Sequence, residues 1–153
     1  MKKVVFICGE ICSGKDTMIE ICYSEYPYKQ IDLGQLVREK FNTQERVFDN
    51  TLEPYFIERI SEIISKNPSL TYVVTGTRQV PLIKKIANLF DECEYTYLVV
   101  PREILKERYS SRASEKDAKL TFEEAIKGDE SLGMRELQNY LLTEVKCNFY
   151  NNY

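Results

Sequence analysis

The N-terminal part of the chain carries a loop whose residue types suit phosphate binding. The apolar run 4–8 predicts a buried strand, and helical spacing of apolar residues resumes after the loop. The loop between them runs from Gly9 to Thr17 and contains Gly14 followed by Lys15. Gly9 permits a sharp turn off the strand, and Gly14 allows the backbone to approach a phosphate closely. A strand, a glycine-bounded loop and a helix in this order are typical of a P-loop, whose N–H groups and lysine bind nucleotide phosphates.

One position of the loop departs from the strict pattern GxxxxGK[ST]. Asp16 stands where a Ser or Thr hydroxyl would meet Mg²⁺, and Thr17 comes one residue late. A carboxylate beside a triphosphate is repelled unless a cation lies between them, and hard oxygen ligands suit Mg²⁺. We therefore predict ATP and Mg²⁺ as cofactors and Asp16 and Thr17 as metal ligands, although Asp16 would also suit a helix start facing away from the ligand. The predicted nucleotide-binding residues are Gly9, Glu10, Ile11, Cys12, Ser13, Gly14, Lys15, Asp16 and Thr17.

Composition limits the classes of protein to be considered. The 153 residues suffice for one domain with a core, and 43% hydrophobic with 29% charged residues is typical of a globular protein. A net charge of −3 gives no broad attraction to nucleic acid, and no apolar stretch approaches the ~20 residues of a membrane span. Five cysteines without paired metal spacing, and an N-terminal apolar run too short for a signal peptide, predict a cytoplasmic protein. The sequence leaves open whether it is a monomer or a homodimer. The lack of histidine removes the commonest general base and zinc ligand.

Strand-like and helical runs alternate along the chain. One predicted helix follows the loop, and two more cover 35–45 and 133–142. Four others begin at Pro54, Pro81, Pro101 and the capping box of Thr121. Because strands separated by helices pair in parallel, we expect an α/β protein: a three-layer P-loop NTPase fold with a five-stranded parallel sheet and helices on both faces. Ligands in such folds bind at the carboxyl ends of the strands. The predicted strands are 4–8, 29–33, 70–74, 95–100 and 145–150.

Several arginines follow the predicted strands at that edge of the sheet. Phosphoryl transfer requires two aligned substrates and neutralised charge, and the planar guanidinium group binds phosphate bidentately. Arg38 lies one turn into the helix after the second strand, and Arg78 lies just past the third. Arg108 and Arg112, four residues apart, share a helix face. The predicted catalytic residues are Lys15, Arg38, Arg78, Arg108 and Arg112.

Other charged residues lack such placement or allow two interpretations. Arg46 and Arg59 are assigned to the solvated surface, as are Lys116 and Lys119. Asp32 lies near the end of the second predicted strand, where it would either orient an acceptor or cap the next helix.

Several stretches resemble nucleoside monophosphate kinases. IDLGQLVR at 31–38 resembles the GDLLR stretch of these enzymes, whose arginine grips the acceptor phosphate, with Gln35 in place of the usual Asp. VPREILKERYSSR at 100–112 resembles the helix that enters the lid of adenylate kinases. GKDT and TRQ, which begin at Gly14 and Thr77, resemble phage-type deoxynucleoside monophosphate kinases. Residues 121–152 are similar to small kinase-like proteins grouped near dephospho-coenzyme A kinase.

The resemblance implies one kinase domain over 1–153, with an acceptor-binding region at about 34–55 and a lid at about 109–128. The implied activity is ATP-dependent phosphoryl transfer to a nucleoside or deoxynucleoside monophosphate, which yields the diphosphate. The acceptor phosphate would lie between Arg38 and Arg78. ATP and this monophosphate would be the partners. The alternatives are a dephospho-coenzyme A kinase and a nucleotide-binding regulatory module that hydrolyses slowly or not at all.

Two features of these families are absent from the sequence. Such kinases usually have an Asp at the end of the third strand, where this chain has Thr75 and Gly76. Our hypothesis is that Asp16 supplies the missing charge from the loop. The second lid arginine of adenylate kinases is also absent, and Lys127 or Arg135 are its candidate replacements.

Overall fold

Parallel strands form the centre of the molecule. The computed structural model describes residues 1–23, 25, 27–67, 69, 71–112 and 120–153, so predictions for 68, 70 and 113–119, including Lys116, Lys119 and part of the lid, lie outside the described residues. Within these ranges the sheet has five strands in the order β2-β3-β1-β4-β5, and each adjacent pair is parallel. The predicted five-stranded parallel sheet is therefore confirmed. The strands are β1 (Lys3–Cys8), β2 (Lys29–Asp32), β3 (Thr71–Thr75), β4 (Glu92–Val99) and β5 (Cys147–Asn151).

The helices begin where the sequence carries helix-start residues. Pro54 and Pro81 lie in the first turns of two helices, where a missing N–H group costs nothing. Thr121 and Glu124 form the predicted capping box. None of the described helices is long and apolar enough to cross a membrane. The helices are α1 (Lys15–Tyr23), α2 (Leu33–Lys40), α3 (Glu53–Lys66), α4 (Val80–Ala87), α5 (Arg102–Ser111), α6 (Phe122–Leu132) and α7 (Met134–Thr143).

Two hydrophobic layers lie on opposite faces of the sheet. Alternate residues of a strand face opposite sides, and Val4 and Phe6 of β1 pack into a core shared with α2, α3, α4 and α7. Val5 and Ile7 pack on the other face against Ile19 of α1. Because both faces are covered, β1 is a continuous apolar run, and the predicted helices on both faces are confirmed.

The helix predicted at 35–45 is misplaced at both ends. The Asp32 carboxylate accepts the N–H groups of Gly34 and Gln35 at 3.0 and 3.4 Å, so α2 begins two residues earlier than predicted. The helix ends at Lys40, because Asn42 adopts a left-handed conformation with φ 49°. Residues 41–52 are therefore a connection to α3 and not a continuation of α2.

Two strand predictions were displaced by a few residues. β4 begins at Glu92 and not at 95, because the start of β4 pairs with the start of β1. Glu94 in this extension lies 2.6 Å from the Lys3 ammonium, so its charge is paired across the two strands. β5 covers Cys147–Asn151, slightly later than the predicted 145–150.

Candidate active site

A cavity of about 460 Å³ lies where β1, β2 and β3 end. Asp32 and Thr75 are the last residues of their strands, and the loop after β1 forms one wall. This is the edge at which parallel α/β sheets bind ligands. The described lining consists of Ile11, Cys12, Ser13, Gly14, Lys15, Asp16, Thr17, Asp32, Gly34, Arg38, Arg46, Thr75, Gly76, Arg78, Arg108, Ser111 and Arg112.

The loop after β1 is tightly folded and requires glycine at two positions. A Cβ on Gly9 would lie 2.4 Å from Ser13 Oγ, so no side chain fits there. Gly14 has φ +92°, and a Cβ on it would lie 2.5 Å from the side-chain nitrogen of Asn152. The Ser13 N–H group donates to the Glu10 carbonyl at 3.1 Å, which closes the turn. The predicted residues 11–17 line the cavity, whereas Gly9 and Glu10 are not part of its described lining.

Lys15 is fixed by the loop that it follows. Its ammonium donates to the carbonyl oxygens of Gly9 and Glu10, both at 3.1 Å. Burial, together with the positive charges of Arg78 and Arg46, lowers the pKa of Lys15 to about 8. An anion placed among these three cations would relieve their repulsion, so the site favours a polyphosphate.

Arg78 is held by a residue that the sequence analysis did not identify. Asp129 of α6 is 1% exposed, and its Oδ1 accepts from Arg78 Nε at 2.5 Å. Its Oδ2 accepts from the Ile11 N–H group at 3.2 Å, so this N–H does not point at a ligand. The one signal in the sequence is that Asp129 shares a helix face with Ala125 and Ile126, both buried, and an acid on an apolar face requires a partner. Asp129 therefore positions both Arg78 and the P-loop.

The assignment of Arg46 to the solvated surface was wrong. Arg46 is half-buried and lines the cavity with Arg38, although it lies outside any helix. The sequence around Arg46 gave no sign of its position at the cavity, because contacts with distant segments hold the connection 41–52 in place. Arg59, by contrast, lies outside the cavity lining on α3 and pairs with Glu62 at 2.7 Å.

Arg108 joins the P-loop to the end of the chain. Its guanidinium donates to the Cys12 carbonyl at 3.1 Å and to the Asn152 carbonyl at 2.7 Å. The Asn152 side chain in turn donates to the Ser13 carbonyl at 2.7 Å. These bonds place the Arg108 charge beside the P-loop. Asn152 lies directly after β5, and sequence spacing gave no indication that it would contact the loop.

Arg112 lies where α5 ends, just before the residues that are not described. Its guanidinium carbon is 6.0 Å from the centre of the Tyr109 ring. The Tyr109 hydroxyl donates to the Leu120 carbonyl at 2.6 Å and its ring packs edge-on against Phe122. The described parts of the predicted lid, 109–112 and 120–128, thus contact each other.

The predicted replacements for the missing lid arginine lie elsewhere. Lys127 is exposed and outside the described cavity lining. Arg135 is 76% exposed and pairs with Glu130 at 3.3 Å. Neither side chain faces the cavity, whereas Arg46 does.

The predicted metal ligands provide oxygen atoms beside Lys15. Asp16 and Thr17 are exposed and line the cavity, and Asp16 Oδ1 accepts from Gln30 at 3.1 Å. Asp32 adds a second carboxylate to the same lining. Within the described part of the chain, no group of three or more His, Cys, Asp or Glu residues forms a metal centre. This donor set fits Mg²⁺, which proteins commonly hold through one or two carboxylates together with substrate phosphates.

The described lining is strongly cationic. Its two carboxylates, Asp16 and Asp32, are opposed by six cationic side chains. Such an excess of positive charge fits more than one phosphate group. The six cations are Lys15, Arg38, Arg46, Arg78, Arg108 and Arg112.

Comparison with known proteins identifies the fold. No known protein family matches the sequence, and no curated protein resembles it significantly. Among solved structures, a sugar kinase from a Janibacter species has a TM-score of 0.64 at 16% identity, over 99% of this chain and 84% of its own. Shikimate kinase from Bacteroides thetaiotaomicron has a TM-score of 0.61 at 14% identity, over 97% of this chain and 86% of its own. The protein therefore has the predicted three-layer P-loop NTPase fold, while identity this low does not identify the substrate.

Proposed function

We propose that the protein is an ATP-dependent kinase that transfers a phosphoryl group to a nucleoside or deoxynucleoside monophosphate. The observation that carries the proposal is the distribution of cations on two sides of one cavity. Lys15 and Arg108 adjoin the P-loop, whereas Arg38 and Arg78 follow β2 and β3. A nucleotide-binding site alone needs no second set of cations, whereas transfer to a phosphorylated acceptor does.

The donor nucleotide would bind along the P-loop. Residues 11–17 present backbone and side-chain groups at the start of α1, where the helix dipole favours anions. Lys15 would contact the phosphates of ATP. Bound Mg²⁺ would neutralise phosphate charge during transfer, with oxygen ligands from Asp16 and Thr17.

The acceptor would bind on the β2 and β3 side. Arg38 and Arg78 would hold its phosphate, and Asp129 would keep Arg78 in position. An ionised phosphate oxygen of the acceptor attacks the γ-phosphorus of ATP, the bond to the β-phosphate oxygen breaks, and ADP leaves with that electron pair. Because the attacking oxygen carries no proton, no general base is needed, which agrees with a chain that lacks histidine.

An acceptor panel tests the proposal. ADP release from ATP would be measured with the ribonucleoside and deoxynucleoside monophosphates, dephospho-coenzyme A, a set of sugars and shikimate, and each product would be identified by mass. We expect a diphosphate product from at least one monophosphate. Transfer to dephospho-coenzyme A, a sugar or shikimate alone would overturn the acceptor class. ATP binding without transfer to any acceptor would favour the regulatory module.

A further inference from the structure

The connection between α2 and α3 brings a cation to the cavity. Arg46 lies in this connection, residues 41–52, and lines the same cavity as Lys15, Arg38 and Arg78. The proposed mechanism uses those three cations and gives no role to Arg46. Its half-buried guanidinium adds a further positive charge to a lining that suits phosphate groups.

A close contact with α6 holds this connection in place. A Cβ on Gly128 would lie 2.3 Å from two ring atoms of Phe48, so the Phe48 ring rests directly on the helix backbone. Leu52 at the end of the connection is buried, and the Gln79 side chain donates to the Asn50 carbonyl at 3.2 Å. Arg46 is two residues from Phe48, so a shift of Phe48 would move the backbone beside Arg46.

Two consecutive residues of α6 thus contact the segments that carry two arginines of the cavity. Gly128 supports Phe48 and through it the backbone near Arg46, while Asp129 pairs with Arg78. The charges of Arg46 and Arg78 both act on the Lys15 ammonium and favour its loss of a proton. All three side chains also line one cavity of about 460 Å³, so they face the same space in which phosphates would bind.

We propose that Arg46 binds the phosphate of the acceptor together with Arg38 and Arg78, and that the contact between Phe48 and Gly128 positions it. This inference rests on the proposed function and adds selection for phosphorylated over unphosphorylated acceptors. The guanidinium group suits this role because it can donate two parallel hydrogen bonds to one phosphate.

Substitution of Arg46 tests its direct role. Arg46→Gln removes the charge, and loss of a charge-assisted hydrogen bond raises the acceptor KM about 10- to 100-fold. Arg46→Lys retains charge without the bidentate geometry and should recover only part of this loss. The matched control is Arg59→Gln, which removes an arginine outside the cavity lining and should leave the acceptor KM within about 2-fold. The dissociation constant of ATP, measured by calorimetry, should be unchanged in all three variants.

Substitution of Gly128 tests the positioning contact. Gly128→Ala improves helix propensity but places a methyl group against the Phe48 ring, so α6 should form while the connection shifts. We expect an increased acceptor KM with unchanged ATP binding. Phe48→Leu in the Gly128→Ala background should restore part of the acceptor affinity, because the smaller side chain leaves room for the methyl group. Without such recovery, the contact does not position Arg46.

Failure of this inference can be distinguished from failure of the proposed function. If the protein phosphorylates a monophosphate but Arg46→Gln leaves its KM unchanged, or weakens ATP binding equally, the role of Arg46 is wrong and the function stands. If no monophosphate is phosphorylated, the proposed function fails, and calorimetry with inorganic pyrophosphate tests Arg46 as an anion ligand. Weaker pyrophosphate binding in Arg46→Gln, but not in Arg59→Gln, would support that role, and unchanged binding would overturn it.

Discussion

Arg78 donates from Nε to the carboxylate of Asp129 at a distance of 2.5 Å. The two side chains are 11% and 1% exposed, so water screens the pair weakly. Arg78 follows β3, whereas Asp129 lies in α6 and also accepts the N–H group of Ile11 in the P-loop. The pair therefore connects the arginine proposed to bind the acceptor with the loop proposed to bind ATP.

Asp129→Asn should both destabilise the protein and weaken acceptor binding. Asparagine can still accept from the Ile11 N–H group, but it no longer balances the charge of Arg78. Loss of one partner of a buried ion pair typically costs about 3–5 kcal/mol, and because Arg78 is partly exposed we expect a loss of about 3 kcal/mol. Urea unfolding measures this loss, and the acceptor KM reports the displacement of Arg78.

A neighbouring acid provides the control for Asp129. Glu130 is the next residue of α6, and its ion-pair partners Arg135 and Arg102 have side chains that are 76% and 52% exposed. Glu130→Gln should change the free energy of unfolding by less than about 1 kcal/mol. Equal stability of the two variants would show that the buried pair contributes nothing beyond a surface pair.

Lys15→Ala should abolish transfer while the fold remains intact. Removal of one preorganised cation from developing negative charge typically costs about 2.7–4 kcal/mol, or roughly 10²- to 10³-fold in kcat. Steady-state kinetics with the best acceptor measures the loss, and circular dichroism checks the fold. Near-normal turnover would show that the P-loop assignment is wrong.

ATP binding should take up a proton at mildly alkaline pH. The pKa of Lys15 without ligand is about 8, and phosphate oxygens beside the ammonium favour its protonated form and so raise this pKa. Between the two values, affinity should fall by up to about tenfold per pH unit as pH rises, because binding then requires a proton. Calorimetry at pH 8.5–9 in buffers of different ionisation enthalpy measures the uptake.

Lys15→Arg is the control for this pH dependence. Arginine stays charged in this range, so the variant should bind ATP with a flatter pH profile above pH 8. A wild-type profile as flat as that of Lys15→Arg would mean that Lys15 is already fully charged before ATP binds.

The sequence predicted the parts of the site that local pattern specifies. The strand, glycines and lysine of the P-loop lie within 17 residues, and their spacing is enough to predict the loop between β1 and α1. Arg38 and Arg78 were found because each follows a predicted strand, and parallel strands bring their carboxyl ends to one edge. The parallel sheet was predicted because strand-like and helical runs alternate along the chain, and chains of this kind adopt few topologies.

Contacts between distant segments could not be predicted in this way. Arg46 lies in a polar connection, which is held by contacts with distant segments such as that of the Phe48 ring with Gly128 of α6. Asp129 is 51 residues from Arg78 and 118 from Ile11, so no spacing rule connects them. The helix predicted at 35–45 continued too far because the left-handed residue Asn42 carries no strong stop signal.

Arg38→Ala should affect the acceptor side selectively. Arg38 lies one turn into α2, and its Nη1 is 3.1 Å from the position of a Cβ on Gly34, so it lies against the start of this helix. We expect the KM of the monophosphate to rise about 10- to 100-fold, because a charged hydrogen-bonding group is lost, while ATP affinity stays constant. Arg59→Ala is the control. Equal losses for both substrates would indicate a structural role for Arg38.

Asp16→Asn should increase the Mg²⁺ concentration needed for half-maximal activity. Asp16 is exposed, lines the cavity and directly follows Lys15 in the chain. Thr75 and Gly76, at the end of β3, carry no carboxylate that could replace it. Asparagine is nearly isosteric and can still accept from Gln30, so stability should be nearly unchanged. Activity measured against Mg²⁺ concentration at fixed ATP gives the shift, and thermal unfolding gives the stability.

Two further variants separate metal binding from local structure. Gln30→Ala removes the hydrogen bond to Asp16 but not its charge, so it should change the Mg²⁺ requirement less than Asp16→Asn does. Thr75→Asp in the Asp16→Asn background returns a carboxylate to the cavity from β3 and should recover part of the loss, because the metal responds to nearby negative charge. If Asp16→Asn instead lowers stability and leaves the Mg²⁺ dependence unchanged, Asp16 is a helix-start residue, and Thr17 becomes the better candidate for the oxygen ligand.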